Sequence, residues 1–353
     1  MATPTVALAN QAHTHDTHDF GGVTVVEPQD RHLPWLMSSY TQVPEGITRI
    51  QDALELGQLT WEVGKRNIRT MDGTPVPDYQ AVIRTDTKAV LGVVGRKFEP
   101  LQNLDALSPV DALLGESGGS IRAVGPLNGG RRVFVAIDLN RQVTVPGDLT
   151  TSVNAWMIVA NGHDGSLALS LNVLEHVVRC TNILVALARS ATWRIRLIHR
   201  PGIEAKYRQA HQAIGQVNGY LDQSNDLKSD LAARHVTDGQ ARRIISAAFP
   251  ERKPQEGRDV PLGRPVQFDQ AWALWQSSPT IPDDLRNTAW GAVQAVTEYV
   301  DHGTDWRGGE RGGISDRRMN ALALGASRSD GQKSRAIEAA LSLPHRKARV
   351  ASA

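Results

Sequence analysis

The chain has 353 residues, 41% of them apolar, and a formal net charge of +2, which is enough apolar material for one large or two modest domains. No run approaches the roughly eighteen apolar residues of a spanning helix, and residues 1–10 lack the basic-then-apolar order of a secretory signal, so a cytoplasmic chain with no membrane partner is expected. One cysteine, Cys180, excludes an intrachain disulfide and a multi-cysteine zinc site.

Residues 1–30 mix Thr, His, Asp and Gly with little periodicity and are expected to form a disordered N-terminal arm. Residues 45–59 read as a short helix, with Ile47, Ile50 and Leu54 on one face and a stop at Gly57. Strands follow at 60–70, 79–85 and 90–94, the first two joined through Met71-Asp72-Gly73-Thr74-Pro75. Residues 101–114 read as a helix capped by Asn103. Asn128-Gly129-Gly130 tolerates positive φ and predicts a hairpin between 120–124 and 132–139. A further pair is expected at 152–160 and 166–173, with Gly162-His163-Asp164-Gly165 at its tip.

From Asn182 the apolar period moves from two towards 3.6. Helices are expected to open at 183–188 and to run over 203–221, 241–249 behind Val236-Thr237-Asp238, 269–275, 282–300, 319–324 and 334–341. Prolines, glycines and basic side chains make 251–265 a linker or exposed loop, and 303–313 a glycine-rich loop. The succession predicts an α+β fold: antiparallel β-hairpins packed with helices in a core domain over 31–250, followed by a C-terminal helical region over 266–353.

The small net charge hides an asymmetry. Residues 1–120 hold 9 Lys/Arg against 15 Asp/Glu, and the remainder 30 against 22. The basic part includes Arg189, Arg194, Arg196, Arg200, Lys206 and Arg208, then Arg242, Arg243, Arg252, Lys253 and Arg258, and a tail with Arg346, Lys347 and Arg349. Such clustering is either a footprint for a polyanion or a set of solvated helix faces.

Four motifs carry the chemistry that is legible. His13-Thr14-His15-Asp16-Thr17-His18-Asp19 is similar to the metal-binding turn of metallo-β-lactamase-type hydrolases, but its aspartate stands one place early and no strand precedes it, so no metal site is expected. Gly162-His163-Asp164-Gly165-Ser166 is either a tight turn, with Asp164 bonding nearby amides, or a contact for ligand or catalysis through His163. Arg179 and Asn182 bracket Cys180 where an anion can be received; the competing reading is a buried thiol, an internally paired arginine and an asparagine cap. Arg96-Lys97-Phe98 joins two cations to an aromatic ring, a combination suited to a nucleic-acid backbone and a stacked base, or to a surface turn. No phosphate-loop pattern and no dinucleotide fingerprint is present, which disfavours an ATP-dependent recombinase or helicase.

Three of these segments stand in a recognisable order: Leu91-Gly92-Val93-Val94-Gly95-Arg96-Lys97-Phe98-Glu99-Pro100-Leu101-Gln102-Asn103, His163-Asp164-Gly165-Ser166 and Arg179-Cys180-Thr181-Asn182. With Asn287-Thr288-Ala289-Trp290-Gly291-Ala292 and Thr297-Glu298-Tyr299-Val300-Asp301-His302, they make the chain resemble, over roughly residues 30–343, the phage/plasmid-like proteins that share a domain of unknown function (DUF nine-thirty-two). Thr181 and Ile183 stand where members commonly show Gln and Thr, so no role is carried over to them. The succession of hairpins and a long helix with a basic region also resembles the annealing core of the Rad-fifty-two-like single-strand annealing proteins of phages. That resemblance implies ATP-independent binding of single-stranded DNA and strand annealing in phage or plasmid recombination, by a homo-oligomer in a bacterial host, with no cofactor and no catalytic residue. The expected DNA contacts are Arg96, Lys97, Arg179, Arg194 and Arg196, with His163, Asp164 and Asn182 as turn or ligand contacts. The alternatives are a metal-independent nuclease or hydrolase using His163 and Asp164, and a phage-encoded protein-interaction module.

Overall fold

Strand pairing dominates the first half of the chain. The computed structural model describes residues 17–20, 23–26, 40–108, 110–111, 114–115, 118–144, 152–177, 183–184, 194–200, 217–251, 265–302 and 328–344. A hairpin of β1 (Thr17–Phe20) and β2 (Val23–Val26) comes first. It stands inside the stretch expected to be an arm; the alternating Val23-Thr24-Val25-Val26 has strand character that the flanking polar residues obscured.

The largest sheet has seven strands, all paired antiparallel. Its path runs β11 (Ile183–Leu184), β10 (Leu169–Val177), β9 (Ser152–Gly162), β8 (Arg132–Thr144), β7 (Ser120–Leu127) and β3 (Thr41–Gln42), with β12 (Arg194–Leu197) sharing the outer edge of β10. The turn from β7 to β8 forms as expected, with Asn128, Gly129 and Gly130 at φ of 52°, 69° and 85°. Ile183 and Leu184 extend opposite His176 and Glu175 and do not open a helix. Two β-branched or bulky residues facing an unpaired stretch of β10 gain ladder bonds there.

A second sheet has three strands, β4 (Val63–Arg69), β5 (Pro75–Arg84) and β6 (Val90–Gly95), in sequence order. Together with α1 (Ile50–Leu56) and α2 (Asn103–Leu107) it covers one face of the large sheet. Val133, Val135 and Ile137 of β8, Met157 and Val159 of β9, and Leu171 and Val173 of β10 point into this core. The intervening Phe134, Ala136, Trp156, Ile158, Ala160 and Leu174 are buried on the opposite face. Burial on both faces explains why β8 and β9 read as nearly continuous apolar runs.

The remaining described elements are helices: α3 (Val217–Ala233), α4 (Asp238–Ala248), α5 (Val266–Ser277), α6 (Asp283–Arg286), α7 (Ala289–His302) and α8 (Arg328–Ser342). Helix α4 starts at a capping box in which Thr237 and Gln240 satisfy one another's backbone amides. The helical core takes in Leu231, Ile244, Ile245 and Phe249, so it begins upstream of the boundary expected at residue 250. Helix α3 serves both cores, giving Tyr220 and Leu221 to the sheet and Leu231 to the helices. Between those ends the fully buried Glu175 of β10 accepts from Lys228 Nζ at 2.8 Å and Ser224 Oγ at 2.7 Å. Most of the expected linker, the 303–313 loop, the 319–324 helix and residues 203–216 lie outside the described residues.

Candidate functional site

The Leu91–Asn103 and His163–Ser166 segments, far apart in sequence, dock on one another. Gly92 of β6 lies against the turn after β9: a β-carbon added there would stand 2.6 Å from Asp164 Cα. Gly162 is under the same pressure, since its β-carbon would stand 2.5 Å from Leu167 O. Only glycine allows these approaches.

Beyond β6 the chain is held by side chains acting on backbone. Lys65 of β4 donates to Phe98 O at 3.0 Å and pairs with Glu99 at 3.5 Å. Glu99 donates its amide to His199 O at 3.2 Å, and the Phe98 ring stacks on the His199 imidazole at 4.9 Å. Gln102 then completes a backbone-like pair with Val63, accepting from its amide at 2.9 Å and donating to its carbonyl at 3.0 Å. Asn103 is not the expected cap; that position is Gln102, and the Asn103 carboxamide turns inward, donating to Leu59 O at 2.8 Å.

Two histidines close the arrangement. His163 Nε2 lies 2.9 Å from Asn103 Oδ1, and His199 Nε2 lies 2.8 Å from Asn161 Oδ1. Each asparagine amide nitrogen points to a backbone carbonyl, Leu59 O and Leu101 O, so each oxygen must accept and each imidazole must carry its proton on Nε2. Burial pushes both imidazoles down to about 4, and for His163 the neighbouring His199 adds to the depression while Asp164 opposes it. Both rings are therefore neutral at pH 7, and His163 Nδ1 has no partner among the described residues.

This geometry gives the Gly162–Ser166 segment a structural role. Asp164 accepts from the Ser166 amide at 2.9 Å and from its hydroxyl, and Gly165 takes φ of 77°. Ser166 Oγ also accepts from Arg132 at 2.7 Å. His163 Nε2 meets Asn103 and its ring packs against Trp61, and among the described residues no nucleophile, base and orienting group converge on it.

The cations sit around this buried centre. Arg96 and Lys97 are exposed in the turn at the end of β6, and Arg196 is exposed on β12, the strand that leads to His199. Because Phe98 and Glu99 rest on His199, the turn bearing Arg96 and Lys97 lies beside the end of β12. None of the three has a carboxylate partner among the described residues, whereas Arg84, Arg141 and Arg234 are paired. Arg194 stands opposite Asn172 in the ladder, two rungs from Arg196 opposite Ser170. Arg179 and Asn182 lie outside the described residues.

A cleft of about 400 Å³ opens nearby between α1 and α2, with Trp61 in its wall and Glu55, Glu62 and Asp105 around it. Those carboxylates repel phosphate, so the cleft does not suit a polyanion. Sequence reasoning missed Asn161, His199 and Gln102. Gln102-Asn103 was visible as the end of a motif, but an isolated histidine such as His199 gave no signal until its ring met Phe98. Residues 90–340 match a family model described as Domain of unknown function (DUF932), and the chain belongs to that family. No curated protein and no solved structure matches it.

Proposed function

We propose that this member of the DUF932 family binds single-stranded DNA and promotes annealing of complementary strands without ATP. The observation that carries the reading is the turn at Arg96 and Lys97, fixed by Lys65, Glu99, Phe98 and His199 beside the strand that bears Arg196. Exposed cations on a fixed turn, without carboxylate partners among the described residues, are what a phosphate backbone recruits, because each contact releases condensed counterions. A site that holds the backbone leaves the bases free to pair. From the likeness drawn in the sequence to the Rad-fifty-two-like annealing cores, we further propose a homo-oligomer acting in phage or plasmid recombination in a bacterial cytoplasm. Hydrolytic chemistry through His163 has weaker support, since that ring is sealed behind Asn103 and Trp61.

The test is the salt dependence of binding to an oligothymidylate, with annealing of complementary strands followed without ATP or metal. Each phosphate contact adds about 0.7 to the slope of log affinity against log salt, so Arg96→Ala/Lys97→Ala is expected to flatten it by roughly 1.4 and to slow annealing in parallel. Unchanged slope and annealing in that variant, or absence of DNA binding by the wild-type chain, would sink the proposal. Turnover of labelled DNA lost in His163→Ala would put a hydrolase in its place.

A further inference from the structure

The outward face of the three-stranded sheet carries an aromatic ring that the fold does not use. Tyr79 is 54% exposed in the middle of β5, and its ring makes no hydrogen bond or ring contact among the described residues. Directly across on β6 is Gly95, where an added β-carbon would meet nothing within 4 Å. The next rung on the same face is Arg66, Ala81 and Val93, with Arg66 exposed and Val93 54% exposed. Strand alternation places Asp78 and Gln80 on the other face, so no acidic strand residue shares the face with Tyr79. Gly95 also leads straight into Arg96 and Lys97.

We infer that Tyr79, beside the open position at Gly95, is a stacking platform for a base of single-stranded DNA, with Arg66 on one side and the Arg96–Lys97 turn on the other engaging the flanking phosphates. The inference rests on the DNA-binding reading above and names the surface that meets the bases. An exposed tyrosine offers a large flat face at little entropic cost, and the missing side chain at Gly95 leaves room for a ring to lie against it. Base stacking on aromatic side chains tolerates any sequence, as strand annealing requires. Charge selects the occupant: a face edged by cations fits a polyanion with flat apolar groups.

The experiment compares affinity for an oligothymidylate with affinity for an abasic oligomer of the same length, which keeps the phosphates and removes the bases. The wild-type chain is expected to prefer the thymidylate, and Tyr79→Ala to shrink that preference roughly five- to tenfold. The salt slope should stay unchanged, and Tyr79→Phe should restore the preference. Because Tyr79 is exposed, the alanine variant is expected to fold, which its circular dichroism checks. If Tyr79→Ala keeps the full preference while Arg96→Ala/Lys97→Ala flattens the salt slope, the platform is wrong and DNA binding stands. If Tyr79→Ala instead changes the sedimenting mass with the preference intact, the face is an interface between copies and the platform is equally wrong. A wild-type chain that binds neither oligomer overturns both readings.

Discussion

His163 and His199 show how much a single buried ring can impose. Their imidazoles, depressed to about 4 from 6.5 chiefly by burial, stay neutral in the fold at pH values where an unfolded chain protonates them. Between pH 6.5 and 4 the unfolded state therefore binds more protons than the folded one, so stability that is complete above 6.5 declines as pH falls through this window. Each ring is expected to account for about 3 kcal/mol of that decline, from a shift of roughly 2.5 units at 1.36 kcal/mol each. Denaturant midpoints taken from pH 7 to 4.5 check it. His199→Gln, which keeps a donor for Asn161, should have a clearly shallower pH dependence than wild type; equal slopes would show that these rings do not control acid stability.

At the scale of elements, two contacts join pieces that neither piece specifies. Lys228 of α3 is fully buried against Glu175 of β10, and burial pulls its pKa below the ordinary lysine value despite the opposing pull of that carboxylate. Removing one partner strands the other charge, so Lys228→Met is expected to cost about 3–5 kcal/mol. Glu175→Gln/Lys228→Met should recover most of the loss. Denaturation of Lys228→Met, Glu175→Gln and the double variant reads the coupling, and strictly additive losses would mean the pair is not the link. The second contact is Gly291 in α7, where an added β-carbon would stand 2.2 Å from Leu285 O of α6. Gly291→Ala is expected to destabilise by about 2 kcal/mol or more, because backbone must move. Gly219 on α3 is exposed with nothing within 4 Å of such a carbon, so Gly219→Ala should stabilise by about 0.5–1 kcal/mol. Similar melting temperatures for the two alanine variants would refute this account of the α6–α7 joint.

Across the whole molecule, helix α3 ties a β-rich core to a helical one. Its leucines belong to both, Leu221 to the sheet side and Leu231 to the helices, and its Lys228 is anchored in the sheet. The two cores are therefore expected to unfold in one transition. Tryptophans report on both, with Trp61 in the sheet core and Trp272, Trp275 and Trp290 in the helical one. Coincident denaturation curves from tryptophan fluorescence and far-ultraviolet circular dichroism would bear this out, whereas two separated transitions would show that the cores fold independently. Among the described residues, no helix is long and apolar enough to cross a membrane.

Much of this architecture was legible in the residues because its signals are local. The hairpin at Asn128-Gly129-Gly130 follows from residues that tolerate positive φ, many of the strands from alternating or continuous apolar runs, and the start of α4 from the cap at Val236-Thr237-Asp238. Exposed cations at Arg96, Lys97 and Arg196 follow from charge alone. What surrounds them does not. The Phe98–His199 stack spans about a hundred residues, His163 meets Asn103 across sixty, and Gly92 presses on Asp164 across more than seventy. No periodicity encodes such pairings; they arise when two sheets pack and buried polar groups must find partners within reach. The sequence by itself therefore determined most of the strands, turns and helices, but not the β1–β2 hairpin or the edge strands at Ile183–Leu184 and Arg194–Leu197, which form only where a partner strand offers its ladder. Only the tertiary structure decided that His163 is sealed away, that the Arg96–Lys97 turn lies beside β12, and that Tyr79 faces solvent across from Gly95.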